Sequence, residues 1–382
     1  MGGAIGAARH AVAQDDAPGD QEPPEIPGWL ILDEARAFLS RFACFPSAAA
    51  LDAVTVWCAH THAVDAFAAS PRLAVLSDLP ASGKTRVLEL AALLSHDGTI
   101  ETDPTGPALV AMISQRHPTV LIDETDNIFG TNGGGSHRSL RAVLNSGYRQ
   151  GATVSRRSGG AYVQDCVYGA IGFGGLGILP ATLASRSVII RMAPRGPGQT
   201  IEPYYPRMHA PLGAGIGAAA GAWVSSVALD LATAWPSLPD GVQDRSAEIW
   251  EALIAVADAA GGDWPARVRA ACVELALGSA AEPVQSPGQR ILGDLRRVWG
   301  WDGNLPTATL IERLYALEGA PWRAMWPAAS APRELAALLA PYRVRPVKVR
   351  DGERTAQGYR RADVEPHWTD EDHVPDVPEH HA

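Results

Sequence analysis

Arg72-Leu73-Ala74-Val75-Leu76-Ser77 runs directly into Asp78-Leu79-Pro80-Ala81-Ser82-Gly83-Lys84-Thr85. The first six residues are a short apolar run that ends in turn chemistry, which predicts a buried strand. Thr85 to Ser95 has apolar residues at helical spacing, so the turn lies between a strand and a helix. In that context successive backbone N–H groups curl around glycine at a helix N-terminus and bind phosphate oxygens. Lys84 would reach the β- and γ-phosphates of ATP, and the Thr85 hydroxyl would hold Mg²⁺. The candidate nucleotide-binding set is Pro80, Ala81, Ser82, Gly83, Lys84, Thr85 and Arg86. Asp78 stands where the usual pattern has its first glycine, so the motif is truncated and weak by itself.

Two further observations strengthen it. Lys84 and Lys348 are the only lysines in the chain, and one of them occupies the phosphate-binding slot. A compact ammonium suits that slot, whereas arginine serves elsewhere in this arginine-rich sequence. Thr119-Val120-Leu121-Ile122 then predicts a second buried strand that ends in Asp123-Glu124, with Asp123 39 residues beyond Lys84. Asp123 is the second candidate magnesium ligand, and Glu124 would orient and polarise the attacking water. A water-activating glutamate beside the γ-phosphate favours hydrolysis over phosphoryl transfer to a small molecule. Thr99–Thr102 as a strand and Gly106–Gln115 as a helix complete the alternation that builds a parallel sheet with crossover helices.

The whole chain has 382 residues, 46% hydrophobic and 19% charged, with a net charge of −10. That length holds two or three domains. No apolar run approaches a bilayer span, the N-terminus has no signal-peptide pattern, and the four separated cysteines predict reduced thiols, so the expected location is cytoplasmic. The negative charge sits in the tails: residues 1–28 carry five carboxylates against Arg9, and residues 366–382 carry five with no lysine or arginine. The middle is nearly neutral, so local basic patches decide nucleic-acid binding.

Arginines supply the remaining candidates. Arg186 follows Leu179-Pro180-Ala181-Thr182-Leu183-Ala184-Ser185, in the position where AAA-type ATPases present an arginine to the neighbouring subunit's phosphates. Its own P-loop is expected at the far edge of the same sheet. Arg245, near the start of a helix, is read either as acting on the γ-phosphate in cis or as a plain ion pair with Glu248. Gly172-Phe173-Gly174-Gly175 replaces the polar sensor expected at the end of the preceding strand. Arg156 and Arg157, beside Ser158-Gly159-Gly160, predict a hairpin tip; in hexameric helicases of related architecture such a hairpin grips DNA phosphates in the channel. Beyond Gly288 the spacing predicts three helices (Ile291–Val298, Ala308–Leu317, Ala331–Ala340) and a basic β-ribbon, a winged-helix order. Arg345, Lys348, Arg350 and Arg360 belong to a segment, residues 343–361, with seven basic and two acidic residues, a candidate DNA-phosphate surface. His60 and His62 read as packed rather than metal-binding, and Trp299, Trp301, Trp322 and Trp326 read as core.

The runs Ala59-His60-Thr61-His62, Pro71–Ala74, Ser82–Arg86, Asp123-Glu124 with Ile128-Phe129-Gly130, Leu144–Arg149, Leu183–Arg191, Trp250–Asp258, Gly261–Pro265 and Gly358-Tyr359 resemble the domain-of-unknown-function 3631 family over roughly residues 29–365. That family is common in actinobacteria, their phages and mobile elements, and its members are often called helicase- or primase-like. The resemblance implies a P-loop ATPase core associated with DNA replication. The expected architecture is α/β: an acidic tail (1–28), an N-terminal helical segment (29–70), an AAA-type core with helices on both faces of a parallel sheet (71–200), an all-helical lid (201–285), a winged-helix-like domain (286–365) and a second acidic tail (366–382). The expected function is an ATP- and Mg²⁺-dependent DNA motor in a homo-oligomeric ring, with a hexamer as the candidate assembly. The alternatives are an ATP-switched DNA loader and a protein-remodelling ATPase.

Overall fold

The computed structural model describes residues 26–77, 81–125, 128, 138–158, 161–176, 179–196, 198–278, 287–351 and 354–368. Pro80, the Gly133–Gly135 loop, the hairpin glycines, most of the 282–288 linker and nearly all of both acidic tails lie outside them.

Five parallel strands form the central sheet: β1 (Arg72–Ser77), β2 (Thr99–Thr102), β3 (Val120–Asp123), β6 (Ile171–Leu176) and β7 (Ser187–Arg191). Their order is β2-β3-β6-β1-β7. Successive strand residues point to opposite faces, and two cores follow. Leu73, Val75, Leu121, Val188 and Ile190 enter one; Ala74, Leu76, Val120, Ile122, Ile171 and Phe173 enter the other. The second core is closed by α4 (Gly106–Arg116), α5 (Arg138–Ser146) and the short α6 (Ala181–Ala184). The sheet therefore carries helices on both faces. Just ahead of β6 the Tyr168 hydroxyl donates to the carbonyls of Val64 (2.9 Å) and Phe67 (2.7 Å), tying the start of the strand to residues 64–67.

The first core is a helical layer drawn from both ends of this region. It combines α1 (Gly28–Phe42), α2 (Ala48–His60), α3 (Lys84–Leu94), α7 (Pro206–Ser226), α8 (Ala228–Thr233), α9 (Asp244–Ala260) and α10 (Trp264–Cys272). Ser47 caps α2 by accepting from the Ala50 N–H at 3.1 Å, a contact worth about 1 kcal/mol. Buried Asp52 accepts from Arg36 (2.6 Å) on α1 and Arg267 (2.6 Å) on α10. Removing either arginine would weaken a buried carboxylate's compensation, which is costly in low dielectric. The helices of 201–285 thus share one core with those of 29–70 and with α3.

The C-terminal region has its own core of Trp299, Trp322, Trp326, Leu335, Tyr359 and their neighbours. Helices α11 (Pro287–Trp299), α12 (Thr307–Ala316), α13 (Trp322–Met325) and α14 (Ala331–Leu339) pack with an antiparallel sheet. Its order is β8-β10-β9, from Asn304–Pro306, Arg354–Arg360 and Val347–Asp351. Two tryptophan N–H groups find acceptors, Asp294 for Trp322 (2.7 Å) and the Asp302 carbonyl for Trp299 (2.8 Å). Trp301 departs from the expected packing: it is 98% exposed, beyond the end of α11. Among the described residues no helix is long and apolar enough to cross a membrane.

Candidate functional site

The carboxyl ends of β1 and β3 and the start of α3 meet. Gly83 precedes α3 with φ +86°, a left-handed conformation that glycine adopts without strain. The Lys84 Nζ donates to the hydroxyl of Ser77, the last residue of β1, at 2.7 Å, and to Ser82 at 3.3 Å. The Thr85 hydroxyl donates to Asp123 Oδ2 at 2.7 Å, bringing both candidate magnesium ligands together. Glu124 follows at the strand end, exposed, with φ +57°. A non-glycine residue there stores strain on the order of 1–3 kcal/mol. Its own N–H donates to Asp123 Oδ1 (2.9 Å), and Thr125 binds the Gly174 carbonyl through both its N–H and its hydroxyl, each at 3.0 Å. These contacts pin the acidic turn against β6.

Arg86 is turned away from this cluster. Its guanidinium pairs with Glu89 at 2.6 Å and lies over the Tyr204 ring at 4.4 Å. Its guanidinium is thus engaged on the helix side, which leaves its backbone N–H as the group that could serve the nucleotide-binding set. Ser77, which holds the lysine, was not singled out in the sequence; it reads there only as the last residue of a strand.

A second cluster lies at the opposite, amino end of β1. Tyr148 sits there because its carbonyl accepts from the Ser70 N–H at 2.7 Å. Arg186 is anchored alongside, its carbonyl accepting from the Arg72 N–H at 2.9 Å. Three guanidiniums surround the Tyr148 ring: Arg186 at 5.0 Å, Arg245 at 5.3 Å and Arg149 at 5.5 Å from its centroid. Arg245 also donates to the Tyr148 hydroxyl. Glu248 pairs with Arg149 at 2.5 Å and Arg245 at 3.7 Å. Beneath them Arg72 is fully buried, donating to the carbonyls of Gly169 (2.5 Å) and Leu144 (3.4 Å). Burial, with a contribution from the charge of Arg186, pushes its guanidinium down to about 9.

This geometry corrects two expectations. β7 is the neighbour of β1 rather than at the far edge from it; what separates Arg186 from the glycine loop is the length of the strand. β1 has six residues, so the two ends are roughly 17 Å apart at about 3.3 Å per residue. Arg245, bound to Tyr148 at the amino end, cannot act in cis on a phosphate at the carboxyl end. Its pairing with Glu248 is the alternative that holds, supplemented by Tyr148. Tyr148 and Arg149 were legible only as part of a family-like run, because only the fold brings them to Arg186 and Arg245.

The basic candidates lie elsewhere. β4 (Thr153–Ser158) and β5 (Ala161–Cys166) form an antiparallel hairpin that pairs Arg157 with Tyr162, and the exposed Arg157 guanidinium is 5.4 Å from that ring. Arg156 lies next along β4, opposite Val163. Arg345, Lys348, Arg350 and Arg360 are exposed, whereas Val349 between two of them is buried, so one face of the ribbon is basic. Arg361 is tied into the fold by Glu365 (3.2 Å) and the Gly300 carbonyl (2.8 Å). His60 is buried and within 3.1 Å of Ser70 Oγ, and His62 donates to the Leu94 carbonyl at 2.9 Å. Among the described residues no group of His, Cys, Asp and Glu could hold a metal by itself.

Residues 191–370 match the family model described as "Protein of unknown function (DUF3631)". A relative from Saccharopolyspora erythraea, an uncharacterized 28.9 kDa protein in the xis 5′ region, is 36% identical over 188 residues, covering 49% of this chain and 70% of the relative. The chain belongs to the DUF3631 family. The DUF3631 match takes in Arg245 and the basic ribbon and begins just after Arg186. Lys84, Thr85, Asp123 and Glu124 precede it, so it is narrower than the span of resemblance read from the sequence. A solved structure, "The A form apo structure of NrS-1 C terminal region-CTR", aligns over 88% of this chain and 76% of that one at 12% identity. Its TM-score of 0.33 makes the likeness loose.

Proposed function

We propose that this DUF3631 chain is an oligomeric P-loop ATPase of the AAA type that binds ATP–Mg²⁺ and acts on DNA. The observation that carries the reading is the conjunction at the carboxyl ends of β1 and β3: Lys84 on Ser77, Thr85 on Asp123, and Glu124 beside them. A ligand crevice at the carboxyl ends of parallel strands is the usual place for phosphate chemistry in such sheets. Here β6 and β7, consecutive in the sheet strands, flank β1 and reverse the strand order around it.

The residues fit a magnesium ion in chemistry: a hydroxyl and a carboxylate oxygen already in contact, both hard donors. Bound there, the ion would supply positive charge against the phosphate oxygens. Lys84 would neutralise the β- and γ-phosphates while the N–H groups ahead of α3 cradle them. Glu124 would orient a water and accept its proton as the oxygen attacks the γ-phosphorus; the bond to the β–γ bridging oxygen breaks, leaving ADP and phosphate.

The DNA part rests on the C-terminal region. Helices α11, α12 and α14 with the β8-β10-β9 sheet have the order of a winged helix, and its ribbon is the basic one. Helix α14, in the recognition position, offers Arg333 as its one basic side chain. That composition favours phosphate contacts over base readout.

Lys84→Ala should abolish nucleotide binding, whereas Glu124→Gln should bind and stop hydrolysis. Titration with a fluorescent ATP analogue and a phosphate-release assay read the two. Unchanged turnover in both variants refutes the ATPase reading. Turnover indifferent to single- and double-stranded DNA leaves the ATPase and removes DNA as its partner.

A further inference from the structure

Trp301 lies between α11 and β8 with its side chain in solvent, although a large aromatic ring is among the most favourable side chains to bury. The backbone on either side of it is fixed. Gly300 takes a left-handed φ of +71°, and its carbonyl accepts from Arg361 Nη1 at 2.8 Å. Trp299 is fully buried, and its Nε1 donates across the turn to the Asp302 carbonyl at 2.8 Å. Arg313 on α12 donates to the Trp299 carbonyl at 2.8 Å and to the Asp302 carboxylate at 3.1 Å. The turn is thus pinned from both sides while the indole between the pins faces outward. A ring carried on an already ordered backbone loses little freedom when something stacks on it.

Cationic side chains share this end of the β8-β10-β9 sheet. Arg360 is paired in register with Asn304, three residues after Trp301. Arg345 comes two residues before Val347, which pairs with Gly358 beside Pro306. Both arginines are exposed, and the Arg297 side chain near the end of α11 is 60% exposed. The carboxylates of Asp302 and Glu365 are each held by an arginine, Arg313 and Arg361. β10 has seven residues, so this end lies roughly 20 Å from the turn of the ribbon at about 3.3 Å per residue. We infer that Trp301 is a stacking platform for an unpaired base, so that the C-terminal region takes single-stranded nucleic acid across the Arg345–Arg360 end of its sheet. The inference rests on the DNA reading and deepens it by naming the form of the substrate. Every base has a π-face, so an indole accepts any of them while neighbouring guanidiniums hold the phosphates. In a duplex both faces of a base are covered by its neighbours, and only a single strand offers one to a protruding ring.

Fluorescence anisotropy of the full chain, with a labelled oligothymidine and with a dumbbell duplex closed at both ends, separates the two forms of DNA. Trp301→Ala should weaken oligothymidine binding about tenfold, the scale of one base–aromatic stack, and leave duplex affinity within about twofold. Its salt slope should match the parent's, because no charge is lost, whereas Arg360→Gln should flatten the slope by about one counterion. Trp301→Phe should regain most of the affinity for the single strand. The ring is in solvent, so the melting temperature of each Trp301 variant should equal the parent's. Parental oligothymidine affinity in Trp301→Ala, or an equal loss on both forms of DNA, overturns the stacking site and leaves the DNA reading intact. A parent chain that binds neither form overturns the DNA reading and this inference with it. Loss of self-association in Trp301→Ala, with oligothymidine affinity unchanged, assigns the ring to a protein interface and likewise overturns the site.

Discussion

At Gly174 an added β-carbon would lie 2.9 Å from Leu88 Cδ1 and 3.3 Å from Asp123 Oδ1. The glycine run on β6 reads in the sequence as the loss of a polar sensor residue. The structure supplies the reason: α3 and the Asp123 carboxylate approach the strand too closely for a side chain. At Gly172 the same test meets Leu121 Cδ2 at 2.6 Å. Gly174→Val should therefore cost about 1–3 kcal/mol by overpacking, and should weaken nucleotide binding by displacing Asp123 from Thr85. Gly215→Ala serves as the opposite case, with nothing within 4 Å of the added carbon on an exposed helix face; it should be neutral or stabilising by up to about 1 kcal/mol. Thermal melts of the two variants, with nucleotide titrations, check the pair. Equal melting temperatures and affinities would refute the packing argument. Lys84, Thr85 and Asp123 were legible as candidates because their chemistry is local, whereas only packing shows that the Arg86 guanidinium faces Glu89 and Tyr204.

Among the elements, the use of the small residues of Gly213–Ala222 is visible only in the assembled layer. On α7 a β-carbon at Gly217 would stand 2.4 Å from the Leu93 carbonyl oxygen, and one at Gly213 2.7 Å from the Phe38 ring. Bare backbone is what lets α7 lie directly on α3 and α1. The ribbon β9–β10 is the contrasting case, since period-two alternation puts Val349 in the core and Lys348 and Arg350 outside. Neutralising Arg345, Lys348 and Arg350 together should weaken DNA binding across sequences and reduce the slope of log affinity against log salt by about three counterions. Fluorescence anisotropy at several salt concentrations reads that slope. A triple variant with parental affinity and slope would place the DNA site elsewhere, with the Arg156–Arg157 hairpin the next candidate.

For the whole molecule, stability depends on a helical layer assembled from residues on both sides of the sheet in sequence, and His60 reports on its integrity. It is buried between Ser70 Oγ (3.1 Å) and the Phe67 ring (5.3 Å between centroids), and burial pushes its imidazole down to about 3. The unfolded chain binds this proton near pH 6.5 and the folded chain does not. The contribution of His60 is thus fully present above pH 6.5 and is lost progressively as pH falls from there towards 3. Melting temperatures between pH 7 and 4 should fall less steeply in His60→Gln, which keeps a polar contact to Ser70 without a titrating group; parallel curves for the two chains would exclude the histidine as a cause. Taken by itself, the sequence determined the alternating strands and helices, the carboxylates after β3 and the basic ribbon, because periodicity, turn chemistry and charge are carried by neighbouring residues. Tertiary structure alone decided that β7 lies beside β1, that Arg245 joins Arg186 on Tyr148 rather than a phosphate of its own subunit, and that the helices of 29–70 and 201–285 share one core. Those facts depend on which distant surfaces bury each other, and that choice is made by the competition of the whole chain for apolar contact, which no local window contains.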